Sequence, residues 1–242
     1  MITIALPVYA SPIAWLAMES LCNQVTDVAW ELIIYEDEEQ PNGKDFYKSY
    51  SKNLVRAGCT RMLYLYSKRR IPLSFKWKEM AEKANDKSIG VLLQGADNYS
   101  EPLRIRKAHE ILSQGYDWIY TPTSLFYHIH KKKYILYESK DIGIGADMAI
   151  KKELAQQLPD EVKWSSVDSW IFNNLKKIKP DAKIFQDLSE NWRNGLATDG
   201  ENRISLQRKK MFDNPVYPFY FTEIKDIKSV KEIIKISIDG KR

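Results

Sequence analysis

Glu31-Leu32-Ile33-Ile34-Tyr35-Glu36-Asp37 is an apolar run that ends abruptly in carboxylates, and a second segment repeats the pattern: Val91-Leu92-Leu93-Gln94-Gly95-Ala96-Asp97-Asn98. Neither run alternates strongly between apolar and polar residues. Such runs are read as strands buried on both faces, as in a parallel sheet. Acid at the C-terminal end of a strand places charge in the crevice where open α/β sheets bind ligands. Two such ends suit the two halves of a nucleotide-linked substrate, Asp37 for the nucleoside and Asp97 for a metal on the phosphates.

Working outward, strand and helix signals alternate through the first 115 residues. Thr3 to Val8 reads as a strand, and Ser11-Pro12 as a helix start with Ser as N-cap and Pro in the first turn. Ile13, Leu16, Ala17 and Leu21 recur at helical spacing, and Glu31 to Tyr35 is the second strand. The turn Gln40-Pro41-Asn42-Gly43 precedes a helix with Phe46, Tyr50 and Leu54 on one face. Arg61 to Tyr66 is a third strand, and Trp77, Met80, Ala81 and Ala84 mark the next helix. Ile89 to Leu93 is the fourth strand, and Pro102 opens a helix carrying Ile105, Ala108, Ile111 and Leu112. Four β–α units in a row imply a parallel, doubly wound sheet.

The pattern then changes. Residues 117–138 are aromatic and β-branched and predict a small antiparallel addition. Gly143 to Asp147 reads as a tight turn before a helix at about 150–157, and Val167, Trp170, Ile171, Leu175 and Ile178 predict an amphipathic helix. Lys183 to Gln186 reads as a short strand. Residues 189–203 contain Asn194-Gly195 and Asp199-Gly200 and predict a long mobile loop. The expected organisation is one domain over 1–188, with a donor half at about 1–115 and an acceptor half at about 116–188. Residues 189–242 then form the loop and a basic extension packed on it.

The chain has 242 residues, 44% hydrophobic and 12% aromatic, enough for a sizeable core and too apolar for disorder. No apolar stretch approaches the roughly 18 residues of a membrane span. The N-terminal stretch lacks the basic region of a signal peptide, and Cys22 and Cys59 form no disulfide or metal pattern, so a cytoplasmic location is expected. The net charge of +5 is concentrated in residues 201–242, where ten Lys/Arg face six Asp/Glu. A solvated basic face is the plainest reading, and a polyanion or anionic membrane the sharper one.

Six ordered pieces resemble a glycosyltransferase of the GT-A fold, most similar to the large family 2. Thr3-Ile4-Ala5-Leu6-Pro7-Val8-Tyr9 resembles that family's opening strand with its Pro-x-Tyr turn, and Glu19-Ser20-Leu21 with Gln24 resembles its "SLxxQ" helix end. Glu31 to Asp37 resembles "EIIVVDD", and Gln94-Gly95-Ala96-Asp97-Asn98 resembles the Asp-x-Asp strand end. Gly145 to Lys152 resembles "GANMAIRR", and Ser165-Ser166-Val167-Asp168-Ser169-Trp170 stands where the family has "EDVDLW". The likeness covers roughly residues 1–180. It implies a Rossmann-like, mostly parallel sheet flanked by helices, and transfer of one sugar from a nucleoside diphosphate sugar to an acceptor hydroxyl.

By that resemblance Pro7, Tyr9, Asp37 and Ala96 line the donor pocket, and Asp97 holds Mn²⁺ or Mg²⁺, hard cations that prefer oxygen ligands. Arg69 and Arg70, beside Lys68, could reach the diphosphate, for which guanidinium geometry is suited. An inverting transfer needs a base for the acceptor proton, and Asp168 and Asp147 are the candidates. The chain departs from the family where Gly95 replaces the first metal-motif acid and Ser165-Ser166 replaces Glu-Asp. No histidine follows His130. Trp192, Arg193 and Arg203 could belong to a lid, and His128 with His130 read as ordinary strand histidines. The acceptor is a saccharide or, with the basic clusters, a hydroxymethylated base in phage-type DNA. The different-class alternative is a non-catalytic module that retains a nucleotide-sugar or glycan pocket.

Overall fold

The computed structural model describes residues 1–128, 133–138, 148–162, 167–186, 194–198 and 221–223. Strands β1 (Ile2–Tyr9), β2 (Trp30–Asp37), β3 (Cys59–Ser67) and β4 (Gly90–Leu93) run parallel in the order β3-β2-β1-β4. All eight residues of β2 and all four of β4 are buried: the apolar runs 32–35 and 91–93 as predicted, and the β2 acids Glu31, Glu36 and Asp37 with hydrogen-bonding partners. The sheet continues beyond β4 through β9 (Ala149–Lys151), β6 (Trp118–Tyr120) and β10 (Ile184–Gln186), with β9 antiparallel to both neighbours. It is a mostly parallel, seven-stranded sheet.

Period-two alternation sends successive side chains to opposite faces, and each face collects its own helices. Ile2, Ile4, Leu6 and Val8 of β1 join Leu32 and Ile34 of β2 on one face. That face packs against α1 (Ala14–Cys22), α2 (Gly43–Ser49), α3 (Ser51–Arg56) and α5 (Arg104–Ser113) through Met18, Leu21, Tyr47, Leu54, Ile105 and Leu112. Ala5, Ile33, Tyr35, Val91 and Leu93 point the other way. They meet Trp77, Met80 and Ala81 of α4 (Leu73–Glu82), Leu154 of α6 (Lys152–Ala155) and Ile171 and Leu175 of α7 (Val167–Ile178). Helices on both faces make the sheet doubly wound.

Several boundaries differ from the sequence expectation. The first helix begins at Ala14, after a turn in which the Ala14 N–H donates to the Ser11 carbonyl oxygen, so Ser11 does not cap it by its side chain. The expected helix at about 150–157 starts at Lys152, because Ala149–Lys151 is pulled into the sheet between β4 and β6. The region 117–138 is not one antiparallel addition. Its first strand, β6, completes the main sheet, while β7 (Thr123–His128) and β8 (Lys133–Glu138) form a hairpin in a second, five-stranded sheet.

That second sheet runs in the order β12-β8-β7-β11-β5, with β5 (Asn98–Ser100), β11 (Asn194–Thr198) and β12 (Phe221–Glu223). Residues 194–198 therefore correct the expectation of a loop over 189–203. The Asn194-Gly195 turn signal yields to pairing on both edges, parallel to β7 and antiparallel to β5, which satisfies the strand's backbone groups. Phe221–Glu223, expected in a packed extension, pairs with β8. Among the described residues, no helix is long and apolar enough to cross a membrane.

Candidate functional site

β1 separates β2 from β4, so the chain winds outward through β2 and β3 and then returns to the other side of β1. The switch point between β1 and β4 is where an open α/β sheet presents a crevice to ligands. Register defines its shape. β4 stops opposite Ala5, where the Gln94 N–H donates to the Ala5 carbonyl at 3.0 Å, whereas β1 and β2 continue to Tyr9 and Asp37. β2 and β4 lie two strand spacings apart, about 10 Å, and β2 ends four residues, about 13 Å, further along the strand direction.

Asp37 closes β2 with its side chain fully buried. Its Oδ1 accepts from Lys76 Nζ at 2.5 Å, and its Oδ2 accepts from the Ile71 N–H at 2.6 Å. Lys76 Nζ also donates to the Val8 carbonyl at 3.0 Å. One ammonium on α4 thus joins the ends of β1 and β2, and through Asp37 holds the loop that follows β3. Burial pushes the Lys76 ammonium below its ordinary range, with Asp37 pulling the other way. On the same loop the Arg70 guanidinium lies over the Tyr9 ring, 3.9 Å from its centre.

Glu36 points to the opposite face. It accepts from the Tyr64 hydroxyl at 2.8 Å, the Tyr47 hydroxyl at 3.4 Å and the Gly43 N–H at 3.2 Å. It is fully buried and anchors the start of α2. Adjacent carboxylates in sequence therefore serve different faces, and Asp37 is the one on the α4 side.

Past β4 the chain makes a turn, Gly95-Ala96-Asp97-Asn98, closed by the Asn98 N–H donating to the Gly95 carbonyl at 3.2 Å. A Cβ on residue 95 would sit 2.8 Å from Asn98 Oδ1 and 3.1 Å from Asp97 Oδ1. The turn is braced from below. Gln94 Nε2 donates to the Asn98 and Gly95 carbonyls at 2.9 and 3.2 Å. The fully buried Arg104 donates to Gln94 Oε1 at 2.8 Å and to the Leu93 carbonyl at 3.0 Å. Asp97 is half-buried, so its carboxylate remains within reach of a ligand.

Among the described residues, no three His, Cys, Asp or Glu side chains gather as a metal site. The donor set near Asp97 is one hard carboxylate on a rigid turn. This fits a divalent cation held largely by a ligand's own phosphates, and does not fit a preformed protein cage.

The fold brings Pro7, Tyr9, Asp37, Arg69, Arg70, Ala96 and Asp97 to one end of the sheet. A nucleoside reaching the Asp37 carboxylate must first displace the atoms that cover it. Asp168 is the second residue of α7. Asp147, Ser165, Ser166, His130, Trp192, Arg193 and Arg203 lie outside the described residues. Sequence reasoning missed Lys76 and Arg104. The signal for Lys76 was present: it precedes Met80 by four positions on the apolar stripe of α4, and a lysine there needs a buried partner.

Neither a known family profile nor a curated protein matches the sequence. Solved structures match its fold. The mannosyltransferase PcManGT from Pyrobaculum calidifontis, in complex with GDP-Man and Mn²⁺, superposes with a TM-score of 0.60 at 11% identity, covering 98% of this chain and 68% of that one. S. aureus TarS 1–349, in complex with UDP, gives 0.58 at 12% identity, covering 82% of this chain and 61% of that one. A second S. aureus TarS structure gives 0.56 at 12% identity, with 99% of this chain aligned to 43% of its length. The chain thus spans about three fifths of the first TarS structure and under half of the second. At these identities the likeness is one of architecture. The chain has the GT-A fold, the α/β class that the opening strands imply.

Proposed function

We propose that this protein transfers a single sugar from a nucleoside diphosphate sugar to an acceptor hydroxyl. The observation that carries the reading is the pair of acid-bearing strand ends flanking the switch point of a GT-A sheet. One carboxylate, Asp37, is anchored by Lys76, and the other, Asp97, is presented on a turn braced by Gln94 and Arg104. Tyr9, Pro7 and Ala96 supply walls, and Arg69 and Arg70 supply cationic reach toward a diphosphate.

In this reading the acceptor oxygen attacks the anomeric carbon, the bond from that carbon to the diphosphate breaks, and a carboxylate takes the acceptor proton. Asp168 or Asp147 fills the last role. Asp97 is the residue that would hold Mn²⁺ or Mg²⁺, which when bound offsets charge on the departing diphosphate. A saccharide is the favoured acceptor, with a hydroxymethylated DNA base as the other candidate.

Thermal unfolding of the full chain with UDP-, GDP-, CMP- and TDP-sugars and Mn²⁺ tests the donor site, because a ligand of the folded state raises the transition temperature. One donor class is expected to stabilise, and an acceptor to release free nucleoside diphosphate. No stabilisation by any donor would defeat the proposal. Stabilisation without release against a panel of acceptors would leave a binding module.

A further inference from the structure

The sequence between Gly43 and Arg56 carries four cations at a strict spacing of four, Lys44, Lys48, Lys52 and Arg56, and a single acid, Asp45. α2 and α3 form a nearly continuous rod, since Tyr50 between them keeps a helical backbone at φ −83° and ψ −8°. On a 3.6-residue period each step of four rotates by about 40° and advances about 6 Å, so the four lie along one side over about 18 Å. The opposite side of the rod is committed to the core through Tyr47 and Leu54. All four cations are exposed, and none has an ion-pair partner among the described residues. Val55 sits among them with 66% of its surface in water.

The row begins beside the candidate donor crevice. Gly43, the first residue of α2, donates to Glu36 at the end of β2, and α3 runs on toward the opposite end of the sheet, where β3 starts. A surface that engages this row therefore meets the flank of the domain and brings the rim of the crevice close to it.

We propose that the Lys44–Lys48–Lys52–Arg56 face docks on an anionic lipid bilayer. Three of the four cations are lysines, point charges that suit a field of headgroups, and the row stands on a convex helix rather than in a groove. Val55 adds an apolar side chain at headgroup depth. No aromatic side chain is interleaved on the exposed side to stack on bases, as a single-stranded nucleic acid site would require. The surface stands independently of the sugar-transfer reading, because its test is adsorption and not turnover.

The test is sedimentation of the full chain with vesicles of phosphatidylcholine alone and of equimolar phosphatidylcholine and phosphatidylglycerol. The variant neutralises the face as Lys44→Gln, Lys48→Gln, Lys52→Gln and Arg56→Gln. A control removes the same charge elsewhere, as Lys83→Gln, Lys87→Gln, Lys176→Gln and Lys177→Gln. Far-UV circular dichroism and melting verify that both variants fold, as exposed substitutions should. The wild type and the control are expected to bind the anionic vesicles, and the face variant to bind at least about tenfold less. Binding should also fall in high salt, where the screening length drops from about 10 Å to about 3 Å. Absence of binding to anionic vesicles, equal binding by the face variant, or an equal loss in the control would overturn the proposal. So would preferential capture of the wild type by a DNA duplex or single strand over the vesicles.

Discussion

Lys76 and Asp37 form an ion pair at 2.5 Å with side chains 1% and 0% exposed, linking helix α4 to the ends of β1 and β2. A pair this deep carries a desolvation cost on both ions, which the Ile71 N–H and the Val8 carbonyl help offset. Its position argues for a clamp that holds the crevice rim in shape.

Lys76→Met should therefore destabilise the fold by about 3–5 kcal/mol in urea titration, because it strands a buried carboxylate. Pairing it with Asp37→Leu should recover part of that loss. A single variant within about 0.5 kcal/mol of wild type would mean that water already reaches Asp37.

Gly95→Ala places a methyl against Asn98 and Asp97, so the turn must shift. We expect a loss of about 1–3 kcal/mol in stability together with weaker Mn²⁺-dependent stabilisation by the nucleotide sugar. Asp97→Ala should remove the Mn²⁺ dependence while the free protein still unfolds in one cooperative transition, since the side chain is only half-buried and outside the apolar core. Retained Mn²⁺ dependence in Asp97→Ala would move the cation elsewhere.

The identity of the base is open to a paired substitution. If Asp168 takes the acceptor proton, Asp168→Asn should cut turnover by about 10² to 10⁴ with donor affinity nearly unchanged. Near-normal turnover there, with a collapse in Asp147→Asn, would assign the role to Asp147. Full activity in both would reject the inverting mechanism.

Alkaline stability follows from the buried tyrosines and thiols. Burial, with Glu79 next, raises the Tyr35 phenol from 10.0 to about 12, and burial, with Glu19 next, does the same for Tyr50. Both folded values lie above the unfolded one, so the folded state binds more protons in that window. Their contribution is complete below pH 10 and is lost as pH rises from 10 to 12. Burial also raises the Cys22 and Cys59 thiols from 9.0 to about 12 and about 11, so urea midpoints should begin to fall near pH 9 and fall further between 10 and 12. Tyr50→Phe should soften the fall. An unchanged slope in that variant would exclude Tyr50 as a contributor.

Local sequence was sufficient where local physics decides. The runs 32–35 and 91–93 are apolar on both sides of the chain and short for a helix, which favours a strand covered on both faces, and β2 and β4 are such strands. The apolar stripes of α1, α4, α5 and α7 likewise declare their buried faces, because a 3.6-residue period repeats within one element. The carboxylates that end β2 and follow β4 were legible for the same reason: they interrupt their own runs. Tertiary structure alone decided which segments pair. Ala149–Lys151 is too short to announce itself beside a helix start, and becomes a strand because β4 and β6 each offer it an edge. Asn194–Thr198 carries a turn signal and is a strand for the same reason. The stripe of α4 announced that Lys76 is buried, but which groups Lys76 and Arg104 meet was hidden, since they reach Asp37 and the Asp97 turn across separate elements. Such contacts depend on distances in space, and no spacing along the chain encodes them.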